Sequence, residues 1–293
     1  MKDLIRKFPE DIKIHGRTVR AWLLSRGLRR GGQFSQPEEE IRAAAAISVI
    51  VAVHDSPEET CRCLISLERF GKGAEIIIVD DGSKLTGMPE LLGEFASRNG
   101  WKLIRNPQPT GHSHASEAGV SLSTRPFVCL LNSDTVVTPY SWAAVVRAFE
   151  SSEEIAVAGP MTSYTVGPQQ ILEACHCRHF WSDAQIWSFA EKYVTAHRKD
   201  PLVDASFIGG FAFFVRRHVW NEMKGFDHNL PDYGNETEFC VRAKKLGLRL
   251  VFTRAGYIHH LGQVSYGRVL DREVLRERGL STLSYIESKH LGA

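Results

Sequence analysis

Five short polar groups in the sequence carry side chains that could bind a metal ion or move a proton. Four of the groups follow apolar segments, and the fifth opens a helical pattern. The groups are His54 and Asp55; Asp80 and Asp81; Asn132, Ser133 and Asp134; His259 and His260; and Asn235, Glu236 and Glu238. Carboxylates gathered in one cleft repel one another unless a cation joins them, and a carboxylate with an imidazole suits Mn²⁺ or Mg²⁺. Such an ion can bridge a diphosphate and neutralise charge on a leaving group.

Buried strands are the elements that must position these groups. Residues 45–53, 75–79 and 127–131 are mostly apolar runs, and runs of this length are typical of buried strands. Strand and helix patterns alternate from residue 45 to residue 159, as in a parallel, doubly wound α/β sheet. Since the carboxyl ends of parallel strands meet at one edge of such a sheet, we expect the polar groups to share a cleft there.

Some of the polar residues also have an ordinary structural interpretation. Asp80 is as well explained by a turn as by contact with a ligand. His112 and His114 are expected to be exposed loop residues. Two glycines, Gly209 and Gly210, interrupt the apolar segment 207–215. Glycines inside a strand suggest a bulge or the close approach of a ligand to the backbone.

Composition excludes several other classes of protein. The chain has 293 residues and a formal net charge of +2, so the charge does not predict a nucleic-acid partner. No apolar run approaches ~20 residues, and the amino terminus lacks the apolar segment of a secretion signal, which predicts a cytoplasmic protein. The phosphate-binding loop of ATP-binding proteins and the dinucleotide-binding glycine motif are both absent. Cys175 and Cys177 lie near His176 and His179, but their spacing is not that of common structural zinc sites.

Three regions are predicted along the chain. Residues 1–45 form a basic helical extension and linker, 46–268 the main domain, and 269–293 a charged helical tail. The main domain divides into two halves, residues 46–159 and residues 160–268. The simpler interpretation of the basic extension is a helix packed on the main domain with its charges in water. The alternative is peripheral contact with an anionic membrane.

An ordered set of motifs, from about residue 47 to residue 267, resembles the family 2 glycosyltransferases. The matching stretches are 48–55, 76–83, 111–119, 132–134, 209–211, 225–227, 236–242 and 260–265. The sequence departs from the family's usual residues at His54, Asp55, Glu117, Asn132 and Glu236. The resemblance implies an α/β fold of the GT-A type, a doubly wound, mostly parallel sheet flanked by helices, with a smaller acceptor-side region. It also implies that residues 46–159 are the nucleotide-sugar half of the domain and residues 160–268 the acceptor half.

The resemblance also implies roles for individual residues. Glu236 would be the catalytic base, and Asp134 and His260 would bind Mn²⁺ or Mg²⁺ together with the diphosphate. The residues implied to bind the nucleotide-sugar are Val53, His54, Asp81, Asn132, Ser133 and Gly210. Among these, Asp81 would accept a hydrogen bond from a pyrimidine N–H, and Asn132 would lie near the ribose and the donor sugar.

The function implied by the resemblance is transfer of a sugar from a nucleotide-sugar, most often UDP-linked, to a hydroxyl group with inversion at the anomeric carbon. The acceptor would be a glycan, a lipid-linked sugar or a protein. One alternative is a catalytically impaired module that binds nucleotide-sugar without turnover, which the departures at Asp55, Glu117 and Asn132 favour. Another is a nucleotidyltransferase, although the basic glycine-rich loop that such an enzyme needs is not found after the first strand.

Overall fold

The computed structural model describes residues 16–28, 34–262 and 272–290, in which helices flank a central sheet of eight strands. The strands are β1 (Ile47–Val53), β2 (Glu75–Asp81), β3 (Lys102–Asn106), β4 (Phe127–Asn132), β5 (Thr135–Val136), β6 (Ile155–Met161), β7 (Val203–Asp204), β8 (Ala212–Arg216), β9 (Arg249–Tyr257) and β10 (His259–His260). The helices are α1 (Gly16–Leu28), α2 (Glu38–Ala44), α3 (Pro57–Phe70), α4 (Met88–Asn99), α5 (His112–Ser121), α6 (Ala143–Ser151), α7 (Leu172–Cys177), α8 (Asp183–His197), α9 (Arg217–Glu222), α10 (Asn235–Lys245) and α11 (Arg272–His290).

One half of the central sheet is parallel, as the alternating pattern predicts. Its strand order is β3-β2-β1-β4, and all three pairings are parallel. In the register, Val53 pairs with Asp80, and Ala52 pairs with Asn132. The carboxyl ends of β1, β2 and β4 therefore lie level with one another, at the edge where the sequence predicts a shared cleft.

The other half of the sheet is mixed. Strand β8 runs antiparallel between β4 and β6, β9 is parallel to β6, and β7 is antiparallel to β9. The first residue of β8, Ala212, pairs with Leu131 near the end of β4, and the backbone N–H of Asn132 donates to the carbonyl of Phe211 at 3.0 Å. Because β8 enters the sheet at this edge, Gly210 lies beside the ends of the parallel strands. The alternating sequence pattern did not predict this reversal.

A second, two-stranded sheet continues the chain beyond β4. Strands β5 and β10 pair antiparallel, with His260 opposite Thr135 and His259 opposite Val136. The backbone N–H of Leu261 extends the pairing with a 3.0 Å hydrogen bond to the carbonyl of Asp134. These bonds bring residues that are far apart in sequence to the carboxyl edge of the main sheet.

Helices near both ends of the chain pack against the main body. Glu40 of α2 accepts hydrogen bonds from the backbone N–H groups of Trp142 (2.7 Å) and Ala143 (3.0 Å), where α6 begins. In α11, Ile286 is buried. The predicted linker thus includes a packed helix, while the division into three regions stays a prediction.

Within the described residues, the structure holds no helix whose length and apolar character would let it span a membrane.

Candidate active site

The end of β2 is tied to the loop that precedes α5. The Asp81 carboxylate accepts hydrogen bonds from Asn106 Nδ2 (2.8 Å), Thr110 Oγ1 (2.7 Å), and the backbone N–H groups of Thr110 (2.9 Å) and Gly111 (2.9 Å). Burial acts to raise the pKa of Asp81, but these hydrogen bonds stabilise the charged form and lower the pKa below its usual value. The predicted contact of Asp81 with a pyrimidine N–H would share oxygens that the protein already uses, and it stays a prediction.

His54 lies at the same edge, one residue after β1. Its Nδ1 is 2.8 Å from the backbone carbonyl of Asp81. Since a carbonyl can only accept a hydrogen bond, Nδ1 carries the proton. In the neutral imidazole, Nε2 is therefore left as an acceptor. About half of the side chain is exposed to solvent, so it can meet a ligand.

The loop after β1 is held in an unusual backbone conformation. Asp55 and Ser56 have φ values of 54° and 53°, in the left-handed region that non-glycine residues seldom adopt. The carboxylate of Asp55 accepts hydrogen bonds from the N–H groups of Lys84 and Leu85, each at 2.9 Å, and its own N–H donates to Ser83 Oγ at 2.9 Å. Asp55 therefore joins the loops after β1 and β2.

The two residues predicted to bind metal are in direct contact. His260 Nε2 lies 3.2 Å from Oδ1 of Asp134, and each side chain is about one-tenth exposed. The Nδ1 of His260 donates to the backbone carbonyl of Tyr164 at 2.7 Å, which directs Nε2 towards the carboxylate. Burial acts to lower the pKa of His260, while the charge of Asp134 and both hydrogen bonds raise it, and the net shift is upward.

The donor atoms of this pair fit a divalent cation. A carboxylate oxygen and an imidazole nitrogen are ligands for Mn²⁺ and Mg²⁺, and a hydrogen bond on the far ring nitrogen is how proteins orient a histidine ligand. Within the ranges that the structure describes, no three or more His, Cys, Asp or Glu side chains are grouped to hold a metal ion. Asp134 and His260 would supply two of the ligands of such a cation, and water could supply others, as is usual for Mg²⁺.

The predicted base lies in the first turn of α10. Gly234, with a φ of 76°, precedes the helix, and Asn235 Oδ1 accepts a 3.0 Å hydrogen bond from the N–H of Glu236. A Cβ atom added at Gly210 would lie 2.5 Å from Cδ of Glu236, closer than real Cβ contacts allow. Burial raises the pKa of Glu236, and the nearby charge of His112 partly opposes this rise.

His112 is a neighbour of the predicted base that sequence reasoning missed. The expectation that His112 and His114 are exposed loop residues is wrong, because both lie in the first turn of α5 and are partly buried. Asn235 Nδ2 is 3.2 Å from Nδ1 of His112 and 3.0 Å from Ser113 Oγ. The start of α5 is thus bonded to the start of α10. The glycine preceding His112 in the 111–119 motif was the one sequence signal near this position.

The structure brings most of the predicted site residues into contacting pairs. The pairs are His54 with Asp81, Asp134 with His260, and Gly210 with Glu236. The remaining residues, Val53, Asn132 and Ser133, lie at or just after the ends of β1 and β4. Val53 and Ser133 are buried and Asn132 is partly buried, so Val53 can contact a ligand mainly through its backbone. The individual roles stay predictions.

The mixed α/β sheet, with its large parallel part and flanking helices, is that of the GT-A glycosyltransferases, which transfer sugars. The family model described as Glycosyl transferase family 2 matches residues 48–223. The match covers more than half of the chain. The chain therefore belongs to glycosyl transferase family 2.

Solved structures of glycosyltransferases share this fold. GalNAc-T7 with UDP, GalNAc and Mn²⁺ matches with a TM-score of 0.58 and 18% identity, covering 73% of this chain and 43% of that one. The mannosyltransferase PcManGT from Pyrobaculum calidifontis, in complex with GDP-Man and Mn²⁺, matches with a TM-score of 0.58 and 13% identity, and the match covers 95% of this chain and 72% of that one. S. aureus TarS 1-349 matches with a TM-score of 0.51 and 14% identity, and the match covers 73% of this chain and 60% of that one. The chain thus spans less than half the length of the GalNAc-T7 chain. A search of curated proteins found no significant match.

Proposed function

We propose that this glycosyltransferase uses a UDP-linked sugar and a divalent cation to glycosylate a hydroxyl group, with inversion at the anomeric carbon. The observation that carries the proposal is the contact between Asp134 and His260 at the carboxyl edge of the sheet. A carboxylate and an oriented imidazole there supply two ligands for Mn²⁺ or Mg²⁺. The GalNAc-T7 structure contains UDP and Mn²⁺, which supports the choice of nucleotide and metal to test first.

Different residues of the chain have different roles in the proposed reaction. A cation held by Asp134 and His260 would neutralise negative charge on the departing diphosphate. Glu236 takes the proton of the acceptor hydroxyl, whose oxygen attacks the anomeric carbon from the face opposite the diphosphate. The partly buried position of Glu236 raises its pKa, which makes its carboxylate a stronger base. The acceptor is a glycan, a lipid-linked sugar or a protein, and each offers the hydroxyl that this chemistry needs.

The first test is calorimetric binding of UDP, GDP, dTDP and UDP-sugars, each with Mn²⁺ and with EDTA. The proposal predicts that UDP and at least one UDP-sugar bind in a metal-dependent manner. Replacing Asp134 with Ala should abolish the dependence on metal. GDP binding in place of UDP would overturn the choice of nucleotide, and the absence of binding by any nucleoside diphosphate would overturn the proposed function.

The second test separates a transferase from a binding module. Slow release of UDP from the bound UDP-sugar reports transfer to water, and an acceptor screen reports transfer to a hydroxyl group. Glu236→Gln keeps the size of the side chain but removes the base, so it should bind the donor normally while kcat falls by about 10²–10⁴-fold. Donor binding with no turnover in the native chain would favour the impaired module.

We also propose a cytoplasmic location, with the basic segment of residues 1–32 as the candidate for peripheral membrane contact. Much of this segment lies outside the described residues, so the proposal depends on its sequence. Partition of the full chain onto anionic liposomes, compared with a chain lacking residues 1–32, tests the membrane contact. Equal partition of the two chains would contradict it.

A further inference from the structure

Arg178 follows the short helix α7 and is bonded to the strand that carries His260. Its Nε donates to the carbonyl of Leu261 at 2.9 Å, and its Nη1 donates to the carbonyl of Cys175 at 3.0 Å. The N–H of the same Leu261 bonds to the carbonyl of Asp134. One residue therefore links the Arg178 guanidinium to the backbone of the predicted metal ligand.

Two further contacts fix the position of Arg178. The guanidinium carbon lies 4.4 Å from the ring centroid of Tyr164, whose backbone carbonyl orients His260. The backbone carbonyl of Arg178 accepts a hydrogen bond from Nε2 of His259 at 3.0 Å. His259 is fully buried. Both the backbone and the side chain of Arg178 are thus held in place before any ligand binds.

The positive charge of Arg178 is not balanced by a carboxylate. Arg62 pairs with Asp183 at 2.5 Å, and Arg242 pairs with Glu238 at 2.8 Å. Arg178, which is partly buried, instead bonds to neutral carbonyl groups. In the part of the chain that the structure describes, no carboxylate lies within ion-pairing distance of it, and its Nη2 makes no hydrogen bond. A partly buried cation without a counter-ion is unfavourable, and it leaves donors free for an anionic ligand.

The guanidinium of Arg178 lies close to the predicted metal ligand His260. It bonds to Leu261, the residue that follows His260, and it lies over the ring of Tyr164, whose carbonyl accepts a hydrogen bond from His260. A guanidinium presents several N–H donors in a planar fork that matches the oxygens of a phosphate group.

We propose that Arg178 binds the β-phosphate of the nucleotide-sugar, beside Asp134 and His260, and stabilises the diphosphate as it leaves. This inference rests on the proposed function. In the transfer, the bond between the anomeric carbon and the β-phosphate oxygen breaks, and its electron pair stays on that oxygen. The acceptor oxygen forms the new bond to the anomeric carbon and gives its proton to Glu236. Arg178 donates hydrogen bonds to the oxygens on which negative charge increases.

The test compares diphosphates with monophosphates, because only the diphosphates carry the phosphate that Arg178 is proposed to bind. UDP, UMP, GDP and GMP are titrated calorimetrically into the full chain and into Arg178→Gln and Arg178→Lys, with Mn²⁺ and with EDTA. We expect Arg178→Gln to weaken binding of the diphosphate by roughly ten- to a hundredfold, as for loss of hydrogen bonds to a charged group. Binding of the monophosphate should change little. The affinity of Arg178→Lys for the diphosphate should lie between those of the native chain and Arg178→Gln, because lysine keeps the positive charge but lacks the planar fork of donors.

Arg217→Gln is the matched control. Arg217 Nε also donates to a backbone carbonyl, that of Arg125, at 2.9 Å, but it follows the carboxyl end of β8 and so lies at the opposite edge of the sheet. Its replacement should leave the affinities for all four nucleotides unchanged. Melting temperatures of the variants, measured alongside, show whether each one folds as the native chain does.

Three outcomes would overturn the inference, and they can be told apart. Unchanged diphosphate affinity in Arg178→Gln would mean that the guanidinium does not contact the phosphate. Equal losses for diphosphate and monophosphate would mean that Arg178 only supports the fold. If the native chain binds neither UDP nor GDP, the proposed function fails as well.

Discussion

Gly210 and Glu236 occupy adjoining space, so that a Cβ atom at position 210 would lie 2.5 Å from Cδ of the glutamate. Gly210 precedes β8, whereas Glu236 lies in the first turn of α10. The absence of a side chain at Gly210 leaves the room in which the Glu236 carboxylate sits. The resemblance assigned Gly210 to the nucleotide-sugar, and the structure gives it a direct relationship to the predicted base.

Gly210→Ala should therefore reduce catalysis without unfolding the protein. The new Cβ atom would clash with the end of the Glu236 side chain. Because this side chain is flexible, we expect its carboxylate to move and the backbone to stay in place. Displacement of a catalytic group by about 1 Å can lower the rate by about 10²-fold, and we expect a loss of this size in kcat. Steady-state kinetics and a melting curve measure the two effects.

Gly93→Ala is the control for this change. Gly93 lies in α4, and a Cβ atom added there would meet nothing within 4 Å. Alanine in an open helical position should leave kcat unchanged and slightly stabilise the fold. Full activity of Gly210→Ala would contradict the prediction that catalysis depends on the position of the Glu236 carboxylate.

His112 should influence the pH dependence of the reaction. When protonated, its charge lowers the pKa of Glu236. The Cys240 thiol is a second titratable group that interacts with this carboxylate. Burial raises the pKa of Cys240 to about 12, so the thiol stays neutral. Replacing His112 with Gln removes the positive charge, and the pKa of Glu236 should rise.

The measurement is the pH profile of kcat, whose acid limb reports ionisation of the base in the bound complex. A higher pKa keeps Glu236 protonated to higher pH, so the acid limb of His112→Gln should move to higher pH. His114→Gln is the control, because His114 lies in the same helical turn but its ring contacts that of His228, with 4.2 Å between the ring centroids. Coincident profiles for the native chain and His112→Gln would contradict the prediction.

The parallel half of the sheet and the position of the site could be predicted from the sequence. Apolar runs that end in polar residues identify β1, β2 and β4, and the geometry of a parallel sheet places their ends at one edge. A run of consecutive apolar residues is sufficient to predict these strands because each strand is buried on both faces. The contact of Asp134 with His260 was implied only by the resemblance to the family, since β5 and β10 are two-residue strands with no pattern of their own.

The contacts that orient the site could not be predicted, because they depend on segments that meet only in the folded chain. Nothing in the sequence around His112 indicates that Asn235 will lie beside it. The same is true of Arg178, whose proposed role depends on the neutral carbonyl groups that it contacts and on the lack of a nearby carboxylate among the described residues. The antiparallel direction of β8 was also missed, because an apolar run does not record the direction of its strand.

Asp81→Asn should destabilise the fold whether or not a nucleotide is present. The carboxylate accepts hydrogen bonds from the backbone N–H groups of Thr110 and Gly111, and an amide would turn its NH₂ group towards one of them. A buried donor left without a partner lowers the free energy of unfolding by about 1–3 kcal/mol. Urea denaturation at pH 7 measures the loss.

The effect of Asp81 should also depend on pH. Its pKa is lower in the folded chain than in the unfolded chain, so its stabilising effect is present above the unfolded pKa of about 4 and is lost as the pH falls. The difference in stability between the native chain and Asp81→Asn should therefore shrink below about pH 4. Asp204→Asn, which removes an exposed partner of Arg249, should change stability little at either pH.

Helix α11 contacts the segment that leads into the predicted base. The methyl group of Thr282 fills the space where a side chain at Gly234 would lie, and Gly234 immediately precedes α10. Asp227 anchors the helix by accepting hydrogen bonds from Tyr285 Oη and Lys289 Nζ, each at 2.7 Å. The orientation of α10, and with it that of the base, should therefore depend on the packing of α11.

A double-mutant cycle of Asp227→Asn and Lys289→Met tests this dependence. Lys289 is 37% exposed, so the coupling energy should be modest, about 0.5–1 kcal/mol. Burial acts to raise the pKa of Asp227, but the hydrogen bonds from Lys289 and Tyr285 lower it well below its usual value. The coupling should therefore be present at pH 7 and weaken progressively as the pH falls below the unfolded pKa of about 4. Either single change should speed amide exchange in residues 234–238, because a loosened α11 no longer covers Gly234. Faster exchange in α11 alone would mean that this helix is an independent attachment with no influence on the base.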